Sequence, residues 1–128
     1  MNYSDQNRIR LAVPSDIPGG LSAARSGHFG RCPQFTLVDL VDGQIDAVSV
    51  VDNQPHRSGG CMSPVLTLRQ NMVDAVIVAG IGRRPLLGCV QAGIRVFAGE
   101  DRHDVRSVVE AFADSDLSPV GPDATCRH

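Results

Sequence analysis

The segment VDAVIVAGIG, residues 73–82, limits the architecture more than any other part of the chain. Positions 75–79 are apolar without a break, and an apolar run of that length bounded by turn residues reads as a strand covered on both faces. Gly80-Ile81-Gly82 then turns into a helical pattern opened by Pro85 and closed by Gly93, and 94–97 reads as the next strand. This is a β-α-β unit, so its two strands are parallel and joined by a right-handed crossover.

The remaining elements follow from that unit. Residues 9–14 (IRLAVP) read as a buried strand, 35–41 as a second and 44–52 as a third, with Asp42-Gly43 as the hairpin turn between the last two. Ser63-Pro64 makes an N-cap followed by proline at the first helical position, and Val65, Leu68 and Met72 repeat at helical spacing. A last helix spans 104–115, with Val105, Val108, Val109 and Phe112 directed inward. The order β-β-β-α-β-α-β-α gives an α/β fold with three helices. Its five-stranded mixed sheet has the order 3-2-1-4-5 and an antiparallel second strand. Both crossover helices then lie on one face and the last helix on the other. The 128 residues divide into a flexible N-terminal tail (1–8), a single domain (9–115) and a flexible C-terminal tail (116–128).

In this topology strands one, three, four and five point the same way, and strand two begins at the edge where they end. Loops 15–33, 53–62, 80–84 and 98–103 therefore meet along one edge. The chain reverses direction between strands one and four, which opens a crevice where α/β sheets bind ligands. Two glycine-rich stretches converge there. SGHFGRCPQF (26–35) carries His28, Gly30, Arg31 and Cys32, and NQPHRSGGCMSP (53–64) carries His56, Arg57, Gly59, Gly60 and Cys61.

Composition narrows the chemistry. A net charge of −2, with four Phe, one Tyr and no Trp, argues against a nucleic-acid partner, which calls for a basic face and stacking aromatics. No apolar run reaches membrane-spanning length, and the N-terminus lacks the apolar core of a signal peptide, so the cytoplasm is the expected compartment. Four cysteines form no C-x-x-C pair, which leaves a zinc site or a disulfide framework without support. There is no lysine for a P-loop, Gly80-x-Gly82 is only a fragment of a dinucleotide fingerprint, and no paired carboxylates suit two-metal hydrolysis. A cysteine nucleophile at 32 or 61, served by His28 or His56, is a further possibility without a local signature.

Binding fits better. Two helices start at the crevice edge, where their N–H groups favour anions. Gly59, Gly60, Gly80 and Gly82 allow close approach of a bulky group, and Arg31, Arg57, Arg83 and Arg84 offer charge-assisted hydrogen bonds. His28, Cys32 and Cys61 are ligands for a soft metal, with Cys126 and His128 of the tail as further candidates. A tail of that length spans about 17–20 Å root-mean-square and just reaches the crevice. Each residue also has a plain structural role to weigh. His28 can tie down its loop, Cys32 can fill a strand start as a small apolar group, His56 can be an exposed loop histidine, and Cys89 suits a helix core.

IRLAVPSD, SGHFGRCPQFTLVDLVDGQI, the N-x-x-H-x-x-G-G-C loop, VDAVIVAGIG and QAGIRVF together resemble the dinitrogenase iron–molybdenum cofactor biosynthesis family over residues 9–115. The resemblance implies a ribonuclease-H-like three-layer fold without ribonuclease activity, since the acidic catalytic set is missing. The family includes bacterial nitrogenase accessory proteins that carry the cofactor or its precursor. It also includes small stand-alone members, among them the orange protein of sulfate reducers, which binds a molybdenum–copper sulfide cluster. In cofactor-carrying members the histidine of H-F-G is implicated in cluster binding, and His28 matches it; Cys32 and Cys61 fall at positions that vary. The expectation is a non-catalytic carrier of an anionic Mo/Fe or Mo/Cu sulfide cluster, exchanging it with donor or acceptor proteins. The alternative is a metal-free protein-interaction or regulatory module on the same fold.

Overall fold

The computed structural model describes residues 8–27, 29–53, 62–99 and 102–121, with the backbone alone for 62 and 63. Its elements are β1 (Arg8–Ser15), β2 (Gln34–Val41), β3 (Gln44–Asp52), α1 (Met62–Gln70), β4 (Ala75–Val78), α2 (Arg83–Gln91), β5 (Arg95–Ala98), α3 (Val105–Ala113) and β6 (Ser118–Pro119). The sheet runs β3-β2-β1-β4-β5-β6. It has six strands, not the expected five, because part of the presumed C-terminal tail adds an edge strand. Phe97 pairs with Pro119 and Ala98 with Ser118, antiparallel, and the Val120 N–H bonds the Val96 carbonyl at 2.8 Å. Two residues, one of them proline, carry no strand pattern; proline is tolerated there because the edge leaves its missing N–H unneeded.

The sheet is mixed as β1 and β4 require. β1 pairs antiparallel with β2 from Arg8↔Val41 to Ser15↔Gln34, and parallel with β4 at Leu11↔Ala75 and Ala12↔Val76. All four residues of β4 are buried. Alternation divides the core in two. Ala12, Leu37, Val76, Val78 and Val96 pack with Val65 and Leu68 of α1 and Leu86 and Cys89 of α2. Leu11, Val13, Val38, Ala75 and Ile77 pack on the other face with Val105, Val108 and Val109 of α3. Leu68 and Leu86 are wholly buried, each contributing roughly 1.5–3 kcal/mol through lost water contact.

The turns explain the boundaries. Asp42 and Gly43 have φ of 53° and 83°, both in the left-handed region, so the hairpin twist matches that of β2 and β3. α2 ends with Gly93 at φ 81° and the Ile94 N–H bonded to the Cys89 carbonyl at 2.8 Å. α1 and α3 end with the same hydrogen-bond pattern on Met72 (φ 58°) and Ser115 (φ 61°), at positions that favour glycine. No helix among the described residues is long and apolar enough to cross a membrane.

One edge of the sheet is closed by charge. Arg10 grips Asp39 through Nε (2.7 Å to Oδ1) and Nη2 (3.1 Å to Oδ2), and its Nη1 bonds the Asn71 carbonyl at 2.9 Å. Its backbone N–H donates to Asp74 Oδ2 at 2.8 Å. These contacts tie β1 to β2 and to the α1–β4 turn. The guanidinium beside Asp39 holds that carboxyl below its ordinary range, more strongly than burial raises it.

Candidate functional site

The opposite edge is built from loops. Ser15, Asp52, Val78 and Ala98 end their strands there, and Gln34 begins β2 there. The long loop after β1 is pinned first to the sheet, with Ser15 Oγ 2.8 Å from Thr36 Oγ1 and the Gly20 N–H donating to Thr36 Oγ1 at 3.0 Å. It is pinned again by Ser26 N–H to the Pro14 carbonyl at 2.8 Å, and by Arg25, whose N–H bonds the His103 carbonyl and whose Nε bonds the Arg102 carbonyl, both at 2.8 Å. Loop and β5–α3 connection thereby form one surface.

Beyond those anchors the chain reaches the H-F-G-R-C stretch. Phe29 turns inward (4% exposed) and meets Phe35 with ring centroids 5.8 Å apart. Cys32 also turns inward, at 3% exposure, inside the core shared with α1 and α2. Burial pushes its thiol up to about 12, outweighing the lowering effect of hydrogen bonds from the Ser15 backbone and the Asn53 amide. It keeps its proton at neutral pH, whereas metal binding and nucleophilic attack both call for a thiolate. Gly30 is half-buried and Arg31 is exposed. Cys89, in the middle of α2, is fully buried and likewise pushed up to about 12 by burial.

Asn53, just past β3, joins the two motif loops and was not singled out by the sequence reading. Its Nδ2 donates to the Cys32 carbonyl at 2.8 Å and the Gly30 carbonyl at 3.3 Å, and lies 3.7 Å from Cys32 Sγ. Its own N–H bonds the Pro33 carbonyl at 3.0 Å. Its Oδ1 is a buried acceptor with no hydrogen-bond partner among the described residues. The available signal was its position: an amide side chain immediately after a strand, opening the N-x-x-H-x-x-G-G-C stretch, where two donors reach neighbouring carbonyls.

The Gly-Ile-Gly turn supplies the next wall. Ile81 is buried at 4% exposure and pegs the turn into the core, which leaves Gly80 and Gly82 outside. A side chain at Gly80 would meet nothing within 4 Å among the described residues. Gly82 caps α2 in extended conformation (φ −73°, ψ 164°) with no side-chain hydrogen bond, and the first turn holds no acidic residue. Arg83 and Arg84 are exposed there. A helix start without a side-chain cap and two guanidinium groups make an anion-favouring corner, with each helix end contributing about 0.3–1 kcal/mol.

Of the predicted site residues, Gly30, Arg31, Cys32, Gly80, Gly82 and Arg83 are among the described ones: Arg31, Gly80, Gly82 and Arg83 are exposed at the loop edge, Gly30 is half-buried and Cys32 lies within. His28, His56, Gly59, Gly60, Cys61, Cys126 and His128 lie outside the described residues. Among the described residues no group of three or more His, Cys, Asp or Glu side chains is arranged to hold a metal ion.

A family model described as dinitrogenase iron-molybdenum cofactor matches residues 8–115. The chain belongs to the dinitrogenase iron–molybdenum cofactor family. Among its relatives is MJ0580 of Methanocaldococcus jannaschii, an uncharacterized protein 33% identical over 92 residues, which are 70% of this chain and 73% of that one. The apo form of the orange protein from Desulfovibrio gigas has a TM-score of 0.77 at 25% identity, covering 88% of this chain and 92% of the other. PH0822 has a TM-score of 0.73 at 27% identity, with 87% and 94% covered. The family match thus runs from β1 through α3.

Proposed function

We propose that this family member is a small carrier that holds an anionic metal–sulfur cluster, a Mo/Fe or Mo/Cu sulfide, in the crevice at the loop edge. His28 is the principal ligand, with Cys61 assisting. In this reading, backbone N–H groups at 59–61 and 80–83 and the arginines at 31, 83 and 84 hold the sulfide surface. Cys32 supports the loop from inside, since its protonated thiol is packed away from the crevice.

The observation that carries this reading is the start of α2. An uncapped helix N-terminus, an open glycine backbone at Gly80 and two exposed arginines adjoin one another there. Sulfide clusters are bulky and negatively charged, and that combination suits them better than it suits a metal cation. Membership of a family of cofactor-related proteins supports the same reading. Both described thiols are buried and protonated, which favours carriage over cysteine catalysis.

Anaerobic reconstitution with iron, sulfide, tetrathiomolybdate and copper in combination tests the proposal, read by visible absorbance and protein-bound metal. Stoichiometric uptake by the wild type, lost in His28→Ala, is the expected result. Uptake unchanged in His28→Ala would transfer the ligand role to the cysteines. No uptake by either protein would favour the interaction module.

A further inference from the structure

We propose that the hollow at the C-terminal end of α3 is a second binding site, for a small monocarboxylate carried on a flat apolar body. Ile9, Leu40 and Phe97 of the sheet line it together with Phe112, Ser115 and Leu117 at the end of α3, and its volume is about 380 Å³. A second hollow of about 560 Å³ shares Ile9, Arg95 and Phe112 with it. Arg95 and Phe97 stand two positions apart on β5, so their side chains share one face of the sheet. That face is the one under α3, because the Phe97 ring meets Phe112 edge-on with centroids 5.0 Å apart. Both rings stay half-buried, which leaves aromatic surface open in a hollow that α3 does not fill.

Arg95 gives the hollow its ligand preference. It lines both hollows, and its guanidinium lies 5.6 Å from the centroid of the Phe97 ring. It pairs in register with the buried Ala75, on a face otherwise packed with apolar side chains, so the fold itself calls for no charge there. The other charged lining residues are engaged elsewhere: Arg8 with Asp39 and Asp46, and Asp74 with the Arg10 N–H. Among the described residues no carboxylate pairs with Arg95. A guanidinium stacked on an aromatic face presents its planar donor fork in a fixed orientation, which matches a carboxylate in two parallel hydrogen bonds. A single cation beside apolar walls selects a monoanion with an apolar body, because a multiply charged hydrated anion would lose water without gaining enough partners. Arg10 lies one residue from Ile9 and so points to the opposite face, which keeps its grip on Asp39 apart from the hollow. The site stands about 20 Å from the loop edge, the length of β1 between Ile9 and Ser15, and is independent of the cluster reading.

Titration of the ¹⁵N-labelled full-length protein with 3-phenylpropionate tests it, with 3-phenylpropanamide (no charge) and acetate (no apolar body) as comparison probes. Expected are saturable amide shifts at Ile9, Gly43, Arg95, Phe97, Phe112 and Ser115. Affinity should fall at least about tenfold for either comparison probe and for Arg95→Gln. Ala113→Glu, which sets a carboxylate in the lining of the hollow, should abolish the shifts, with an unchanged spectrum elsewhere reporting an intact fold. Absence of saturable shifts at these residues up to about 10 mM, equal affinity for acid and amide, undiminished binding by either variant, or shifts confined to the loop edge or to Val90 and Val120 on the other face would each overturn the proposal.

Discussion

The two ends of the sheet use their polar groups differently. At the end where β1 begins, every contact of Arg10 is consumed by the fold: a two-point grip on Asp39, the Asn71 carbonyl and, through the backbone, Asp74. At the end where β1 finishes, the loops are held mostly by backbone carbonyls and one amide, while polar groups remain unspent. Among the described residues, Asn53 Oδ1 has no partner, the α2 N-terminus has no side-chain cap, and Arg31, Arg83 and Arg84 are exposed. A fold needs the first kind of end to be stable, and the second kind leaves capacity for a ligand. The reading of the crevice as the site rests on this asymmetry.

The strongest perturbation of the loop end is Phe29→Ala. It removes the ring that joins the H-F-G stretch to Phe35, and a loss of about 3 kcal/mol is expected from chemical denaturation. At the closed end, Asp39→Asn should cost about 2 kcal/mol at neutral pH by breaking the grip on Arg10. Because the folded carboxyl titrates below its ordinary range, its stabilisation is complete above that range and is lost as pH falls through the depressed folded value. The substitution should therefore flatten the acid limb of the stability profile and leave cluster uptake unchanged. If uptake fell with it, the two ends would not be separable.

Asn53→Ala sharpens the comparison. It leaves the Gly30 and Cys32 carbonyls without their amide donor, at about 1–2 kcal/mol. Cluster uptake should drop further than in Asp104→Ala, which removes the N-cap of α3 at a similar cost of about 1 kcal/mol. Equal uptake by these two variants would make Asn53 a structural residue only. The smallest expected effect lies at the closed end: Met72→Gly should stabilise by about 0.5–1 kcal/mol, because Met72 occupies a left-handed position. An unchanged thermal midpoint would contradict it.

The regular parts of this molecule were readable because they rest on short-range rules. The unbroken apolar run of β4, the Asp-Gly hairpin and the Gly93 helix stop each carry their own signal. Where the rule is tertiary, the sequence was silent. Met72 and Ser115 end helices in a conformation glycine would have announced. Ser118–Pro119 pairs only because β5 offers a free edge. Arg10, inside an apolar strand pattern, reveals its role only when Asp39 and Asp74 are brought beside it. The shared loop edge was readable from strand directions, but the direction of Cys32 was not, since it sits in irregular backbone where no period says which way a side chain turns. Asn53 was missed for the same reason: its partners belong to another loop.

The central claim is most directly tested by mapping amide shifts in ¹⁵N-labelled protein before and after anaerobic loading with tetrathiomolybdate and copper(I). The account predicts changes at Gly30–Cys32, Asn53 and Gly80–Arg84, with Arg10, Asp39, Asn71 and Asp74 unmoved. Changes centred on the Arg10 cluster, with the loop edge unaffected, would contradict it.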